Sequence, residues 1–133
     1  MATLQCIVVT PEATLRDGPA DFVAVPLYDG ELGIAPDHAP MVGRLGYGEL
    51  RITSGGQVSR FYVEGGFVEV IGNTVSVLTG RAVPAESLDA AAAQEQLLDA
   101  QSRIATSPDA MFARDKAMAQ ARAKLRIARR TEA

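Results

Sequence analysis

The fold of this chain is organised around residues 25–42, which read Val-Pro-Leu-Tyr-Asp-Gly-Glu-Leu-Gly-Ile-Ala-Pro-Asp-His-Ala-Pro-Met-Val. Proline lacks an amide donor and glycine tolerates positive φ, so the pattern predicts turns and short edge segments rather than one regular element. The stretch also contains apolar residues of the kind that fill protein cores. Because a long ordered loop in a compact domain usually contacts a partner or a ligand, we expect a contact site here.

Strand-like segments separated by turns occupy the chain from Thr3 to Leu78. Residues 4–9 are apolar on both alternating faces, which is typical of a central strand. Residues 49–53 alternate between polar and apolar side chains, and Ser54-Gly55-Gly56 is a predicted hairpin turn. Many short strands with turn signals at short intervals predict an antiparallel sandwich or barrel.

Two sites that contain glycine interrupt the predicted strands. A short strand at Leu15-Arg16 is expected to stop at Gly18-Pro19. Gly65-Gly66 is either a bulge where another backbone approaches or a turn between two strands. Neither interpretation implies chemistry at these glycines.

The composition changes at Pro84, beyond which there is no glycine and alanine is the commonest residue. Ser87 is predicted to cap a helix that begins near Leu88 and ends near Thr106. Ser107-Pro108 then starts a second helix, because serine is a good cap and proline suits the first helical position. The chain is therefore expected to have a β domain over residues 1–84 and an antiparallel helical hairpin over residues 85–133.

Each helix has a narrow apolar face. In the first helix the predicted stripe comprises Leu88, Ala91, Leu98 and Ala105, with Leu97 and Ile104 beside it. In the second helix the predicted seam comprises Met111, Met118 and Leu125 at heptad spacing, with Ala121 and Ala128. Because little apolar surface is available on either helix, we expect the hairpin to dock weakly.

The composition is that of a soluble globular chain, with 47% hydrophobic and 22% charged residues among 133. No apolar run is long enough to span a bilayer, and no signal peptide is visible. The single cysteine, Cys6, excludes an internal disulfide and fits a reducing compartment. With one histidine and one cysteine, a His/Cys zinc site is not available, and we expect no metal.

Charge is segregated along the chain. Residues 1–110 contain six basic and fourteen acidic side chains, whereas residues 111–133 contain seven basic and two acidic ones. This basic segment is interpreted as a solvated face, a nucleic-acid contact or a surface for an acidic partner. We expect no nucleic-acid binding, because aromatic residues do not alternate with the basic ones and the acidic remainder would repel phosphates.

Four blocks in this order resemble the epsilon subunit of the F-type ATP synthase. They are Gly30-Glu31-Leu32-Gly33-Ile34 with Pro36-Asp37-His38-Ala39-Pro40, Leu45–Ile52, Gly65–Val70 and Val75–Leu78. The resemblance extends over the whole chain, including the late change to a helical hairpin. It implies an α+β fold in which a flattened ten-stranded antiparallel β-sandwich precedes two α-helices.

The resemblance implies a non-catalytic rotor subunit of the central stalk, acting in ATP synthesis and proton transport. Its expected partners are the gamma subunit and the c-ring through the sandwich, and the alpha and beta subunits through the helices, which restrain ATP hydrolysis. The implied location is peripheral, on the cytoplasmic face of the bacterial inner membrane, with the thylakoid stromal face as the alternative.

The resemblance also assigns roles to the loop residues. It implies that Asp29, Gly30 and Glu31 form a turn, with Glu31 at its tip, that faces the polar loops of the c-ring. The remaining expected loop-structuring residues are Gly33, Pro36, His38 and Pro40. His38 would otherwise suggest a catalytic base or a pH switch, but no nucleophile accompanies it, so we expect it to hold the loop by hydrogen bonds.

Some epsilon subunits bind ATP through an Ile/Leu-Asp-x-x-Arg-Ala motif, aided by arginines of the second helix. Here the run is Leu88-Asp89-Ala90-Ala91-Ala92-Ala93, so Ala92 replaces the arginine. Asp89, Arg122 and Arg126 remain as candidate nucleotide contacts. Because alanine cannot replace a guanidinium as a phosphate partner, we expect ATP binding to be weaker than in members with the motif, or absent.

The alternative function is a free-standing binding module, a sandwich with a helical lid that senses a nucleotide or another metabolite. An enzyme is less well supported, because neither an acid–base pair nor a nucleophile constellation is visible in the sequence. Co-purification with gamma would separate the two hypotheses.

Overall fold

The computed structural model describes residues 3–132, and this part of the chain divides into two compact units between Pro84 and Ala85. The first unit is all β, and the second is helical. The strands within the described residues are β1 (Leu4–Val9), β2 (Thr14–Ala20), β3 (Phe22–Leu27), β4 (Gly30–Ile34), β5 (Met41–Arg44), β6 (Tyr47–Ser54), β7 (Gln57–Glu64), β8 (Phe67–Ile71), β9 (Thr74–Leu78) and β10 (Ala82–Pro84).

The ten described strands form two five-stranded sheets, which confirms the predicted sandwich. The strand order is β2-β1-β9-β8-β5 in the first sheet and β10-β7-β6-β3-β4 in the second. Every ladder is antiparallel except that between β1 and β9, which run parallel. β1 is flanked on both sides, as its doubly apolar pattern predicts.

An aliphatic core lies between the two sheets. Alternate residues of each strand point inward, because successive strand side chains lie on opposite faces. The first sheet contributes Leu4, Cys6, Val8, Val68, Val70, Val75 and Val77, and the second contributes Val23, Val25, Ile34, Leu50, Ile52 and Val63. Most of these residues are β-branched, which suits a pleated and half-buried surface.

The predicted stop at Gly18-Pro19 is wrong, because β2 continues to Ala20. Proline is tolerated because β2 is an edge strand, where one row of amides faces no neighbouring strand. Pro19 pairs with Gln5 in the ladder with β1. The edge position therefore explains why a turn signal does not end this strand.

Gly65-Gly66 lies between β7 and β8 and combines features of both interpretations. The φ angles of the two residues are +65° and +100°, so the chain turns here. The backbone of Leu78 and Thr79 approaches Gly66 closely, and a Cβ added there would lie 2.8 Å from the Thr79 Cα. Gly66 is therefore a site of close backbone approach as well as a turn residue.

The helical unit begins with a short 3-10 turn (Ala85–Ser87), followed by α1 (Ala90–Ser102) and α2 (Pro108–Glu132). The predicted cap Ser87 is wrong, because the N-cap of α1 is Asp89, whose Oδ1 accepts from the Ala91 amide at 3.0 Å. The first helix also ends at Ser102, before the expected Thr106. The predicted start of the second helix is confirmed, since the Ala110 amide donates to Ser107 Oγ at 3.1 Å.

The two helices pack through a small apolar seam. Its members are Ala93, Leu97, Ala121 and Leu125, with Ala90 and Met118 at the margin. The predicted stripe on α1 is wrong at Leu98, which is 56% exposed, whereas the neighbouring Leu97 is 9% exposed. The predicted seam of α2 is confirmed at Met118, Ala121 and Leu125, but Met111 is exposed.

Candidate functional site

The hairpin between β3 and β4 contains the residues that the sequence assigns to a contact loop. Leu27 pairs with Gly30, so the two turn residues are Tyr28 and Asp29. Both are exposed, and Gly30 has a φ of +142°. The expectation that Glu31 occupies the tip is wrong, since Glu31 lies in β4 opposite Pro26.

Glu31 forms a two-pronged ion pair with Arg51 of β6. Arg51 Nη2 donates to Glu31 Oε1 at 2.7 Å, and Nη1 donates to Oε2 at 3.0 Å. Nη1 also lies 3.5 Å from Oε1 of the buried Glu49. The hydrogen bond with Glu31 is the largest cause that raises the pKa of the Arg51 guanidinium. The contact spans β3 and ties the edge strand β4 to β6.

Backbone hydrogen bonds join the tip of the β3–β4 hairpin to the connection between β5 and β6. The Tyr28 amide donates to the Arg44 carbonyl at 3.0 Å, and the Gly46 amide donates to the Pro26 carbonyl at 2.9 Å. A Cβ at Gly46 would lie 3.1 Å from the Tyr28 Cα, so the two segments are in close contact. The guanidinium of Arg44 lies 5.9 Å from the centroid of the Tyr28 ring.

The loop from Ala35 to Pro40 is joined to the β8–β9 turn by Asp37, which is not among the predicted loop-structuring residues. The Asp37 amide donates to Asn73 Oδ1 at 2.6 Å, and Asn73 Nδ2 donates to Asp37 Oδ1 at 3.3 Å. Both residues have positive φ, 66° and 64°, which Asp and Asn tolerate better than most residues. Asp and Asn are both frequent in turns, so the sequence indicates a turn at each position. It does not indicate that Asp37 and Asn73 bond to each other.

The residues that were expected to structure the loop are Gly33, Pro36, His38 and Pro40. Nδ1 of His38 lies 2.8 Å from the carbonyl oxygen of Ala39, its own neighbour. Gly33 lies in β4 beneath the Phe22 ring, where a Cβ would lie 2.6 Å from Phe22 Cζ. Pro36 and Pro40 bound the loop, and β5 begins directly after Pro40.

The candidate nucleotide contacts are dispersed on the two helices. Asp89 caps α1, while Arg122 and Arg126 are exposed one turn apart on α2. Within residues 3–132 no hydrogen bond or ion pair joins Asp89 to either arginine. Ala92 lies in the first turn of α1, at the position where the motif has arginine.

The outward face of the first sheet contains a group of apolar side chains, of which Phe67, Leu78 and Val42 are exposed and Val9 is half-buried. Val9, Leu78 and Phe67 follow one another across β1, β9 and β8 in register. Leu78 and Phe67 are 50% and 58% exposed. Val42 lies on the same side of β5, next to this row, and we call these four residues the apolar row. An open groove of about 370 Å³ continues from its Val9 and Leu78 end.

Cys6 and Tyr62 are two titratable side chains that are buried in the sandwich. Burial raises the pKa of the Cys6 thiol to about 11. Burial, followed by the hydrogen bond to Glu64, raises the pKa of the Tyr62 hydroxyl. Residues 3–132 contain no group of three or more His, Cys, Asp and Glu side chains placed to hold a metal ion. They also contain no helix long and apolar enough to cross a membrane.

Comparisons with known proteins give a consistent result. The family model of the ATP synthase, Delta/Epsilon chain, beta-sandwich domain matches residues 3–85. The ATP synthase epsilon chain of Rhodopirellula baltica is 45% identical over 127 residues, which are 96% of this chain and 99% of that protein. The ATP synthase epsilon chain of Symbiobacterium thermophilum is 47% identical over 105 residues, covering 78% of this chain and 76% of that protein.

Two solved structures share the fold. A chain of the Euglena gracilis mitochondrial ATP synthase, in a structure of OSCP, F1 and c-ring, matches with a TM-score of 0.85 and 21% identity over 92% of this chain and 79% of that one. A chain of the Tetrahymena thermophila mitochondrial ATP synthase, in a structure of central stalk and c-ring, matches with a TM-score of 0.75 and 14% identity over 96% and 97%. From the family model and the curated relatives together, this chain belongs to the ATP synthase epsilon chain family.

Proposed function

We propose that this chain is a non-catalytic rotor subunit of the F-type ATP synthase. It links rotation of the c-ring to ATP synthesis through the gamma subunit and restrains ATP hydrolysis through its helices. Membership of the epsilon chain family supports this proposal, and so do fold matches in two ATP synthase structures that both contain a c-ring, one of them with the central stalk. The single observation that carries it is the apolar row on the outward face of the first sheet.

The apolar row is the proposed gamma-binding surface. Val42 is 70% exposed, and together with Phe67, Leu78 and Val9 it forms a continuous patch across four strands. Contiguous exposed apolar side chains on a sheet are typical of protein-binding surfaces. Fully burying an exposed phenylalanine side chain contributes about 1.5–3 kcal/mol. Because Phe67 is 58% exposed, its burial on gamma is expected to contribute about 1–2 kcal/mol, or ~5–20-fold in affinity.

The β3–β4 hairpin is the proposed contact with the c-ring. Its tip is exposed and is held by backbone hydrogen bonds from the β5–β6 connection. Contact residues held on a rigid scaffold lose little conformational freedom on binding. We assign Asp29, Gly30 and Glu31 to the contact, and Gly33, Pro36, His38 and Pro40 to shaping the loop behind it.

The helical hairpin is the proposed regulatory element. Arg122, Arg126, Arg129 and Arg130 are exposed on α2, so the helix offers a basic face to acidic surfaces of the alpha and beta subunits. Such contacts set encounter rate and register and weaken with salt. The proposed location is peripheral, on the cytoplasmic face of a bacterial inner membrane or the stromal face of a thylakoid. ATP binding is proposed to be weak or absent, because Ala92 lacks a guanidinium.

Co-purification with the gamma subunit tests the proposed rotor role. Phe67→Asp should weaken binding to gamma by at least ~10-fold, because a charge replaces an apolar contact. The matched control is Val58→Asp, which changes a similarly exposed residue of the second sheet and should bind gamma normally. The proposal would be contradicted if the original chain did not bind gamma, or if both variants bound gamma equally well.

Removal of residues 88–133 tests the regulatory role. The shortened chain should still join the rotor, whereas ATP hydrolysis by the reconstituted complex should rise. Hydrolysis should be measured at two salt concentrations, because charge contacts are screened at high ionic strength. Unchanged hydrolysis at both concentrations would refute inhibition by these helices.

A further inference from the structure

We infer that Arg16 closes the outer edge of β2 against strand addition by a second copy of this chain. The inference concerns self-association and does not depend on the proposed rotor role. It assigns to one side chain the task of keeping two sandwiches from joining their first sheets through β2.

β2 is an edge strand with a long unpaired side. It has seven residues and pairs only with β1 in the described sheet, whereas the other edge strands β4, β5 and β10 have five, four and three residues. The free amides and carbonyls of such an edge are a template for another strand. A second copy brings the same strand to this edge, where the two can pair antiparallel about a two-fold axis.

Arg16 lies on the interior side of this edge. It is directly opposite Val8 in the ladder, and directly opposite side chains share one face of the sheet. Val8 is fully buried in the core between the sheets, so the Arg16 side chain leaves β2 at the margin of that core. Burial raises the pKa of the Cys6 thiol, and the charge of Arg16 opposes this effect, which agrees with a guanidinium close to the core.

The backbone groups of Pro19 face the open edge. The Gln5 amide donates to the Asn73 carbonyl at 2.8 Å, on the side of β1 away from β2, so the opposed residues Gln5 and Pro19 exchange no ladder hydrogen bond. Proline has no amide donor, and the Pro19 carbonyl accepts from Arg16 Nη2 at 2.9 Å. A docking strand would therefore find no donor at Pro19 and a carbonyl that is already bonded.

The first half of β2 contains a β-bulge. Val8 pairs with Arg16 but Val9 pairs with Thr14, so Leu15 is an extra residue without a partner in β1. A bulge bends its strand and increases the local twist, which turns the edge away from a regular partner strand. The regular part of this edge is therefore limited to residues 16–20.

The Arg16 guanidinium makes this remaining stretch costly to cover. It has five N–H donors, and within residues 3–132 its Nε is buried without a partner and the guanidinium makes no ion pair. A second strand would exclude water from the other donors and bury a cation without a counter-charge. Inward-directed charges are a common protection of edge strands, so loss of this charge should open the edge to pairing.

Sedimentation velocity of the full chain over a range of concentrations tests the inference. Arg16→Val should raise the self-association constant by ~10-fold or more, because no unpaired cation has to lose its water. The matched control is Arg60→Val, which removes the same charge from a half-buried position on β7, a strand with neighbours on both sides. This control should associate like the original chain. Equal association by the two valine variants would refute the inference.

Arg16→Lys and Arg16→Gln separate the charge of the side chain from its shape. Lysine keeps a cation at the edge and should leave self-association within ~3-fold of the original chain, whereas glutamine removes the charge and should increase self-association. Thermal unfolding shows whether each variant folds, and Arg16→Gln replaces Arg16→Val in the test if the valine variant does not. A folded glutamine variant that associates no more than the original chain contradicts the inference.

Hydrogen exchange followed by NMR locates the new contact. The Asp17 amide faces the open edge, because backbone direction alternates along a strand in step with Pro19. At concentrations where Arg16→Val associates, this amide should exchange more slowly than in the original chain. If the variant associates while the Asp17 amide exchanges at its original rate, the contact lies on another surface and the inference is wrong.

Discussion

Replacement of Gly66 by alanine should destabilise the sandwich far more than the same change at the adjacent Gly65. Gly66 has a φ of +100°, a region that costs L residues on the order of 1–3 kcal/mol. A new Cβ would also meet the Leu78 carbonyl and lie 2.8 Å from the Thr79 Cα. These are backbone atoms, so relief requires the ends of β8 and β9 to separate, which adds about 1–3 kcal/mol.

Gly65 is the matched control. Its φ of +65° lies in the left-handed region, which costs alanine about 1 kcal/mol, and nothing lies within 4 Å of an added Cβ. The expected difference between the two variants is therefore about 1–5 kcal/mol, which is ~5-fold or more in the unfolding equilibrium constant.

Urea unfolding followed by tyrosine fluorescence measures this difference. The chain has no tryptophan, and its three tyrosines, Tyr28, Tyr47 and Tyr62, all precede Pro84. The signal therefore reports the sandwich, while circular dichroism at 222 nm follows the helices. If the free energies of unfolding of Gly65→Ala and Gly66→Ala differ by less than ~0.5 kcal/mol, then the close approach of Leu78 and Thr79 to Gly66 does not affect the stability of the sandwich.

Three further predictions concern the helices and the core. Leu97→Ala should destabilise the helical unit by about 2 kcal/mol, whereas Leu98→Ala should destabilise it by less than about 0.5 kcal/mol. Thermal loss of helicity measures both effects, and equal effects would contradict the proposed seam between the helices. Asp89→Ala should cost α1 about 1 kcal/mol, whereas Asp89→Asn should retain the cap; equal losses of helicity would refute capping. Because the folded Cys6 pKa is raised to about 11 from 9.0, the folded chain keeps its proton while the unfolded chain loses it. Stability should therefore fall by up to about 2–3 kcal/mol between pH 9 and 11, and Cys6→Ala should reduce this slope in urea titrations; an unchanged slope would contradict the assignment to Cys6.

Features that depend on local sequence were predictable. Alternation of apolar residues located most of the strands, and Ser107-Pro108 located the start of α2, because turn and cap chemistry acts over a few residues. The apolar stripe of α1 was misjudged because Leu88 was taken as its first member. Leu88 precedes the helix, which begins at Ala90, so its position does not define the helical face.

Features that depend on distant contacts were not predictable. Glu31 and Arg51 are twenty residues apart and meet across an intervening strand, and no local signal relates them. Asp37 and Asn73 each suggest a turn, but only the fold brings the two turns together. The sequence therefore indicated the β3–β4 segment as a candidate contact, but it did not distinguish the exposed Tyr28 from Glu31, which pairs with Arg51.

The parallel pairing of β1 with β9 has a consequence for the order in which the protein folds. It joins Gln5 to Thr74, so the first strand of the unit cannot complete its ladder until nearly the last strand is available. Pairings between such distant residues slow folding, whereas the contacts within the helical hairpin are local and fast. During synthesis, β1 and β2 leave the ribosome long before β9 and present an open strand edge. A chaperone that shields this edge should therefore increase the soluble yield.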